Sequence, residues 1–218
     1  MKNKLGFTIP ELMVSMAVAS ILTVVMFTVT IYFYADILRQ QAIAEMAVES
    51  QSVLRRLVED IRTANSIQNT NSLPDANAPP GGWQTSDPNN VMIIASPAYD
   101  STRQIIYNPV DNFPYQNEVI YFGSGSTIAR RTIQNTQALG NTLLTSCPEA
   151  LVTSTCPADI TLSKYLDNLT FIFYDINNQV TAVAADTRSI SITLRMKRKI
   201  HGRDVVFDNT IRTTLRNY

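Results

Sequence analysis

Nucleophiles, general bases and metal ligands are scarce in this chain. His201 is the sole histidine and Cys147 and Cys156 are the only cysteines, so a two-histidine metal site, an HExxH zinc helix and a paired CxxC zinc site are all ruled out. The seven glycines, at positions 6, 81, 82, 123, 125, 140 and 202, nowhere form a phosphate-cradling GxGxxG or a P-loop. A Ser-His-Asp or Cys-His arrangement would have to use His201, which stands in the run KRKIHGRD and reads as an exposed hairpin turn. No catalytic residue, metal ligand or cofactor is therefore expected, and an anchored enzyme is the weakest of the functional classes.

One carboxylate stands out by where it is. Glu11 is the only acid between positions 7 and 35, and the residues from 12 to 35 form 24 consecutive uncharged positions. At about 1.5 Å per residue that run is roughly 36 Å of helix, enough to cross a hydrocarbon layer of roughly 30 Å. Lys2 and Lys4 precede it with no acid beside them, which favours a cytoplasmic N-terminus and places the rest of the chain outside. A plain signal anchor or a cleavable secretory signal is the simpler reading, and Ala17-Val18-Ala19 imitates an A-x-A cleavage site. The apolar run, however, continues for sixteen residues past Ala19. A lone carboxylate at the edge of an apolar helix is costly unless a positive group neutralises it, and a simple anchor has no use for one.

The segment Gly6-Phe7-Thr8-Ile9-Pro10-Glu11-Leu12-Met13-Val14 resembles the class III signal of type IV pilins and type II secretion pseudopilins. The shared features are a short basic leader, Gly before the scissile bond, Phe after it, and Glu five residues into the mature chain. The resemblance implies cleavage between Gly6 and Phe7 by a prepilin peptidase, N-methylation of Phe7, and a mature chain of 212 residues (218 minus 6). It further implies that Glu11 attracts the amino group of Phe7 on a neighbouring subunit. Coulomb attraction is stronger in a low-dielectric layer but desolvation offsets much of it, so the pair serves register more than stability. The implied partners are the prepilin peptidase, sibling pilins in a filament, an inner-membrane assembly platform, and the membrane itself before assembly. The implied location is the cytoplasmic membrane, single-pass with the N-terminus inside, and then an extracytoplasmic pilus or pseudopilus.

The elements that must position these groups follow from periodicity. Neither Pro nor Gly occurs from position 11 to 73, so no kink is written into the helix, unlike major pilins, which often carry a proline about twenty residues into the mature chain. Beyond Ala35 the pattern is amphipathic: Ile43, Met46, Ala47, Leu54, Leu57, Val58, Ile61 and Ala64 recur at helical spacing, with Arg55, Arg56, Glu59, Asp60 and Arg62 on other faces. The expected organisation is a leader over 1–6, a transmembrane half-helix over 7–35, an amphipathic half-helix over 36–64 and an extracytoplasmic β-rich head over 65–218. The fold class is α+β, a long helix packed on an antiparallel sheet. Ser15, Ala17, Ala19, Ser20 and Thr23 suit close helix contacts in lipid.

In the head, residues 65–90 are rich in Asn, Ser, Pro and Gly and read as a surface loop, with Trp83 as a lid over the core. Strands are expected over 91–95, 104–107, 118–122, 127–133, 169–174, 180–184, 189–197 and 204–213. Gly123-Ser124-Gly125 joins two of them as a hairpin and Asp175-Ile176-Asn177-Asn178 joins two more, as a plain turn in preference to half a calcium loop. Cys147 and Cys156, in CPEALVTSTCP, have the wrong spacing for a redox CxxC. An external location permits a structural disulfide, and two free thiols are the alternative.

Further stretches bear on the role. The run from Ser52 to Arg62 is similar to the end of the long helix in larger minor pilins and J-type minor pseudopilins, as are the runs from Leu166 to Asp175 and from Arg188 to Leu194. A minor filament subunit is the reading these favour. The alternatives are a major pilin, or a pilus-tip binding module for adhesion or DNA uptake. Arg195, Lys197, Arg198, Lys199 and Arg203 lie in a stretch without an acid between Asp186 and Asp204 and could contact a polyanion. The net charge is zero and no aromatic residue separates 188 from 203 to stack bases, so a charged hairpin that resists strand pairing is favoured over a nucleic-acid site.

Overall fold

The computed structural model describes residues 8–85 and 90–215. One helix, α1 (Ile9–Thr63), runs for 55 residues, about 82 Å at 1.5 Å per residue. It is unbroken, as the absence of Pro and Gly requires. Pro10 lies in its first turn, where a missing N–H removes no intrahelical bond. The helix stops because Ala64 turns extended and the Asn65 N–H donates to the Ala95 carbonyl at 2.8 Å, which starts strand pairing.

Among the described residues eight antiparallel strands follow: β1 (Ser66–Gln68), β2 (Val91–Pro97), β3 (Gln116–Ser124), β4 (Thr127–Ile133), β5 (Ile160–Ser163), β6 (Leu166–Tyr174), β7 (Ser189–Ile200) and β8 (Arg203–Thr214). They divide into a five-stranded sheet, in the order β1-β2-β3-β4-β5, and a three-stranded sheet, in the order β6-β7-β8. The α+β architecture agrees with a pilin-like fold, while the strands form two sheets where one was expected.

The distal half of α1 supplies Met46, Val53, Leu54, Leu57 and Ile61 to the main core. There they meet Met92, Ile94, Val119 and Tyr121 from the larger sheet and Phe171, Phe173, Ile190, Ile192 and Leu194 from the smaller one. Strand alternation sends the neighbours Val91, Ile93 and Ile120 to the opposite face, where they form a second cluster with Trp83 and Ile133. The Pro- and Asn-rich loop is thus a cover for the outer face of the larger sheet, and Trp83 is its buried anchor.

Two expected strands are absent. Residues 104–107 belong to an excursion held by isolated bridges, Tyr99 to Ile105 and Tyr107 to Pro114, and Pro109 and Pro114 lack the donors a ladder needs. Residues 180–184 make one bridge, Tyr174 to Val180, before a short 3-10 turn at Ala184–Asp186, so the turn at Asp175 leads out of β6 without opening a second strand. β1 and β5 went unpredicted because three and four residues give too few alternations to register.

Cys147 and Cys156 are joined in a disulfide, with their Cα atoms 5.6 Å apart. Closing a loop of about ten residues constrains the unfolded chain by about 2.5 to 3 kcal/mol in the entropy model. Replacing both cysteines by serine is expected to lower stability by that amount in urea unfolding. An unchanged midpoint would assign the bridge no such role.

Candidate functional site

The most unusual surface of the molecule is the first half of α1. Every described residue from 8 to 37 is exposed, including Leu12, Met13, Val25, Phe27, Ile31 and Phe33. Soluble monomers rarely expose contiguous apolar patches beyond a few hundred Å², so lipid or other helices must cover this one. Its hydroxyls already suit an apolar surround. Ser15, Ser20, Thr23, Thr28 and Thr30 donate back to the carbonyls of Glu11, Ala17, Ala19, Val24 and Met26 at 2.8 to 2.9 Å. Hydroxyls satisfied within their own helix need no water, which is the condition for entering hydrocarbon.

Glu11 sits in the first turn. Its Oε2 accepts the Thr8 N–H at 2.9 Å and the Thr8 hydroxyl at 2.8 Å, the reach-back of a capping residue at the third helical position. The structure therefore gives Glu11 a local role beside the register role that the resemblance implies, satisfying an orphan donor at the helix start. The sequence did hold the signal, a Thr three residues before a Glu ahead of an apolar run. Gly6 and Phe7 lie outside the described residues.

The basic stretch is opposed by acids from elsewhere in the fold. Arg195 lies 3.3 Å from Asp167 on β6 and 3.7 Å from Asp208 on β8, Lys197 lies 3.1 Å from Asp204, and Arg198 pairs with Glu45 of α1. Arg198 also lies over the Tyr165 ring, 5.4 Å from its centroid. A linear scan for acids misses them because they come from three other elements. Lys199 and Arg203 flank the turn at His201 and Gly202 and are exposed.

Two polar centres attach the head to α1 and to its own loops. At the first, Asp60 of α1 accepts from Arg130 Nε at 2.7 Å and from the Tyr121 hydroxyl at 2.6 Å. Burial, reinforced by the charge of Asp60, raises the Tyr121 pKa, so the phenol stays a donor throughout the physiological range. Burial works against the Arg130 charge, but Asp60 and the phenol outweigh it and its pKa is raised. At the second, Arg131 reaches Asp159 at 2.6 Å and Asp75 at 3.1 Å, and donates to the Asn77 carbonyl at 2.9 Å. Burial opposes its charge too, and these carboxylates again outweigh it. Trp83 donates to Asp75 at 2.8 Å and lies beneath the guanidinium, 5.3 Å from ring centroid to carbon.

Neither centre was anticipated. The signal was Arg130-Arg131 inside TIARRTI: adjacent strand residues face opposite ways, so a sheet covered on both faces must bury both.

These centres hold the head together, and the longest run of exposed large hydrophobic residues is on the helix. No curated protein matches the chain. Residues 1–27 match the family model of the prokaryotic N-terminal methylation motif, so the apolar helix begins with the class III signal of type IV pilins and pseudopilins, which supports a precursor of that type processed by a prepilin peptidase.

Proposed function

We propose that the chain is a minor structural subunit of a type IV pilus or type II secretion-type filament. The observation that carries the reading is the wholly exposed apolar half of α1, continuous with the methylation motif. Before assembly, the half-helix spans the cytoplasmic membrane with the N-terminus inside and the head outside. A prepilin peptidase cuts between Gly6 and Phe7 and Phe7 is methylated. The helix then leaves lipid for a bundle of sibling pilins at the inner-membrane assembly platform, exchanging one apolar surround for another. Glu11 carries the register of that exchange.

The size of the head supports a minor place in the filament. The part of the chain beyond α1 is roughly 150 residues, which is easier to seat at a filament end than in every turn of a shaft. The unbroken α1 agrees, since a shaft subunit often melts locally near a Pro or Gly. Quantitative mass spectrometry of sheared filaments is expected to find this protein well below a smaller sibling, and its deletion to reduce filament number more than length. Finding it the most abundant subunit would make it a major pilin.

A further inference from the structure

The β7-β8 hairpin ends in a two-residue turn, His201 and Gly202, both at positive φ (46° and 79°), closed by the Ile200 to Arg203 pair. Such turns follow the strand twist and fix the tip rigidly. The tip folds back along α1 and leaves a cleft of about 410 Å³ against Ile31, Tyr32, Ala35, Asp36 and Arg39. The uncharged run ends at Ala35, so this cleft lies across the end of the apolar span. From Ile31 to Arg39 is about 12 Å along the axis, enough to cover one headgroup layer, roughly 5 to 7 Å, and the top of the acyl region. Tyr32 and Tyr34 mark the same depth, because tyrosine concentrates at membrane interfaces.

The lining changes character with depth. Ile31 and Tyr32 with Ile200 and Val205 make an apolar side. Arg39 and Arg203 line the same cleft, and Lys199 lines a second one on the other side of the hairpin. Arg39, Lys199 and Arg203 have no ion-pair partner among the described residues, whereas Lys197 and Arg198 do. Two acids face the cleft: Asp36, which accepts from Gln40 at 2.8 Å, and Asp204, which is paired with Lys197. Asp204 is neutralised by Lys197, so Arg39 and Arg203 against Asp36 leave one net positive charge at the cleft.

We propose that this junction binds an anionic phospholipid of the leaflet on the head's side, the phosphate against Arg39 and Arg203 and the upper acyl chain against Ile31 and Tyr32. The inference rests on the membrane-spanning reading of α1. Duplex DNA fits the same charges less well, since the apolar side would meet no base and the site lies at membrane depth. The consequence is a head held at a fixed height and rotation on the bilayer before it enters a filament.

The test uses the full chain in detergent, titrated with dioleoyl phosphatidylglycerol or dioleoyl phosphatidylcholine and read by native mass spectrometry. Phosphatidylglycerol is expected to bind at least about tenfold more tightly, given the worth of basic residues near an anionic surface. The R39Q/R203Q variant should lose that preference, while R55Q/R62Q, with the same change in charge at exposed positions elsewhere, keeps it. Equal binding of the two lipids, or loss of the preference in both variants, would overturn the site. So would competition by inorganic phosphate or a short DNA duplex at concentrations matching the lipid. Carbonate extraction of cell membranes separates the two ideas: a chain retained in membranes without lipid preference overturns the site alone, and a chain released overturns the spanning reading as well.

Discussion

Replacing Glu11 with Gln is expected to reduce incorporation into filaments at least tenfold while membrane insertion and processing survive. The substitution separates two roles. Gln retains a side-chain oxygen that can accept the Thr8 N–H, the bond that Glu11 makes at 2.9 Å, and it serves this capping position as well as Glu does. What it loses is the charge. A charged pair desolvated between subunits costs about 2 to 5 kcal/mol when one partner is removed, and about 1.4 kcal/mol corresponds to a factor of ten. Glu11→Ala removes the cap and the charge together and should be worse in both respects. The measurement is the ratio of variant protein in sheared filaments to that in membranes. Wild-type incorporation of Glu11→Gln would show that the carboxylate acts only as a cap and would remove the paired-charge account.

The second large effect is expected in the head. Arg131→Met leaves Asp75 and Asp159 facing each other in a buried site, where the arginine and its two partners have side-chain exposures of 3%, 0% and 11%. Removing one member of a buried ionic cluster costs about 3 to 5 kcal/mol, because the remaining charges stay desolvated. Trp83 is the sole tryptophan and lies against this guanidinium, so its fluorescence follows the affected region directly. Denaturant unfolding of the full chain in detergent should show that loss. Arg55→Met, which breaks the exposed pair with Glu59, should change stability by less than about 1 kcal/mol. Equal effects of the two substitutions would mean that Arg131 does not hold the loop to the sheet.

The sequence was most legible where one local rule acted alone. The absence of Pro and Gly from 11 to 73 leaves α1 without a break, and its apolar spacing beyond Ala35 picks out Met46, Leu54, Leu57 and Ile61, which are buried. β4 matches its expected range because TIARRTI is bounded by clear turns. Partition into two sheets could not be read, since alternation says which way a side chain faces and not which strand lies beside it. Ile106 and Val180 have strand-like neighbours but no ladder to join, and tertiary context overrides their propensity. The acids that pair with the basic run could not be read from its neighbours for the same reason: Asp167, Asp208 and Glu45 come to it only through folding. At the helix start the motif was evident, while the Thr8 bond to Glu11 is a geometric fact that the residue types merely allow.

The central claim is that this helix is handled as a pilin-type precursor, and intact mass of the chain recovered from cell membranes tests it most directly. The account predicts a chain of residues 7–218, beginning at Phe7 and heavier by one methyl group, with Gly6→Ala slowing or stopping the cut. A mass that retains Met1, or one that begins after Ala19, would contradict it.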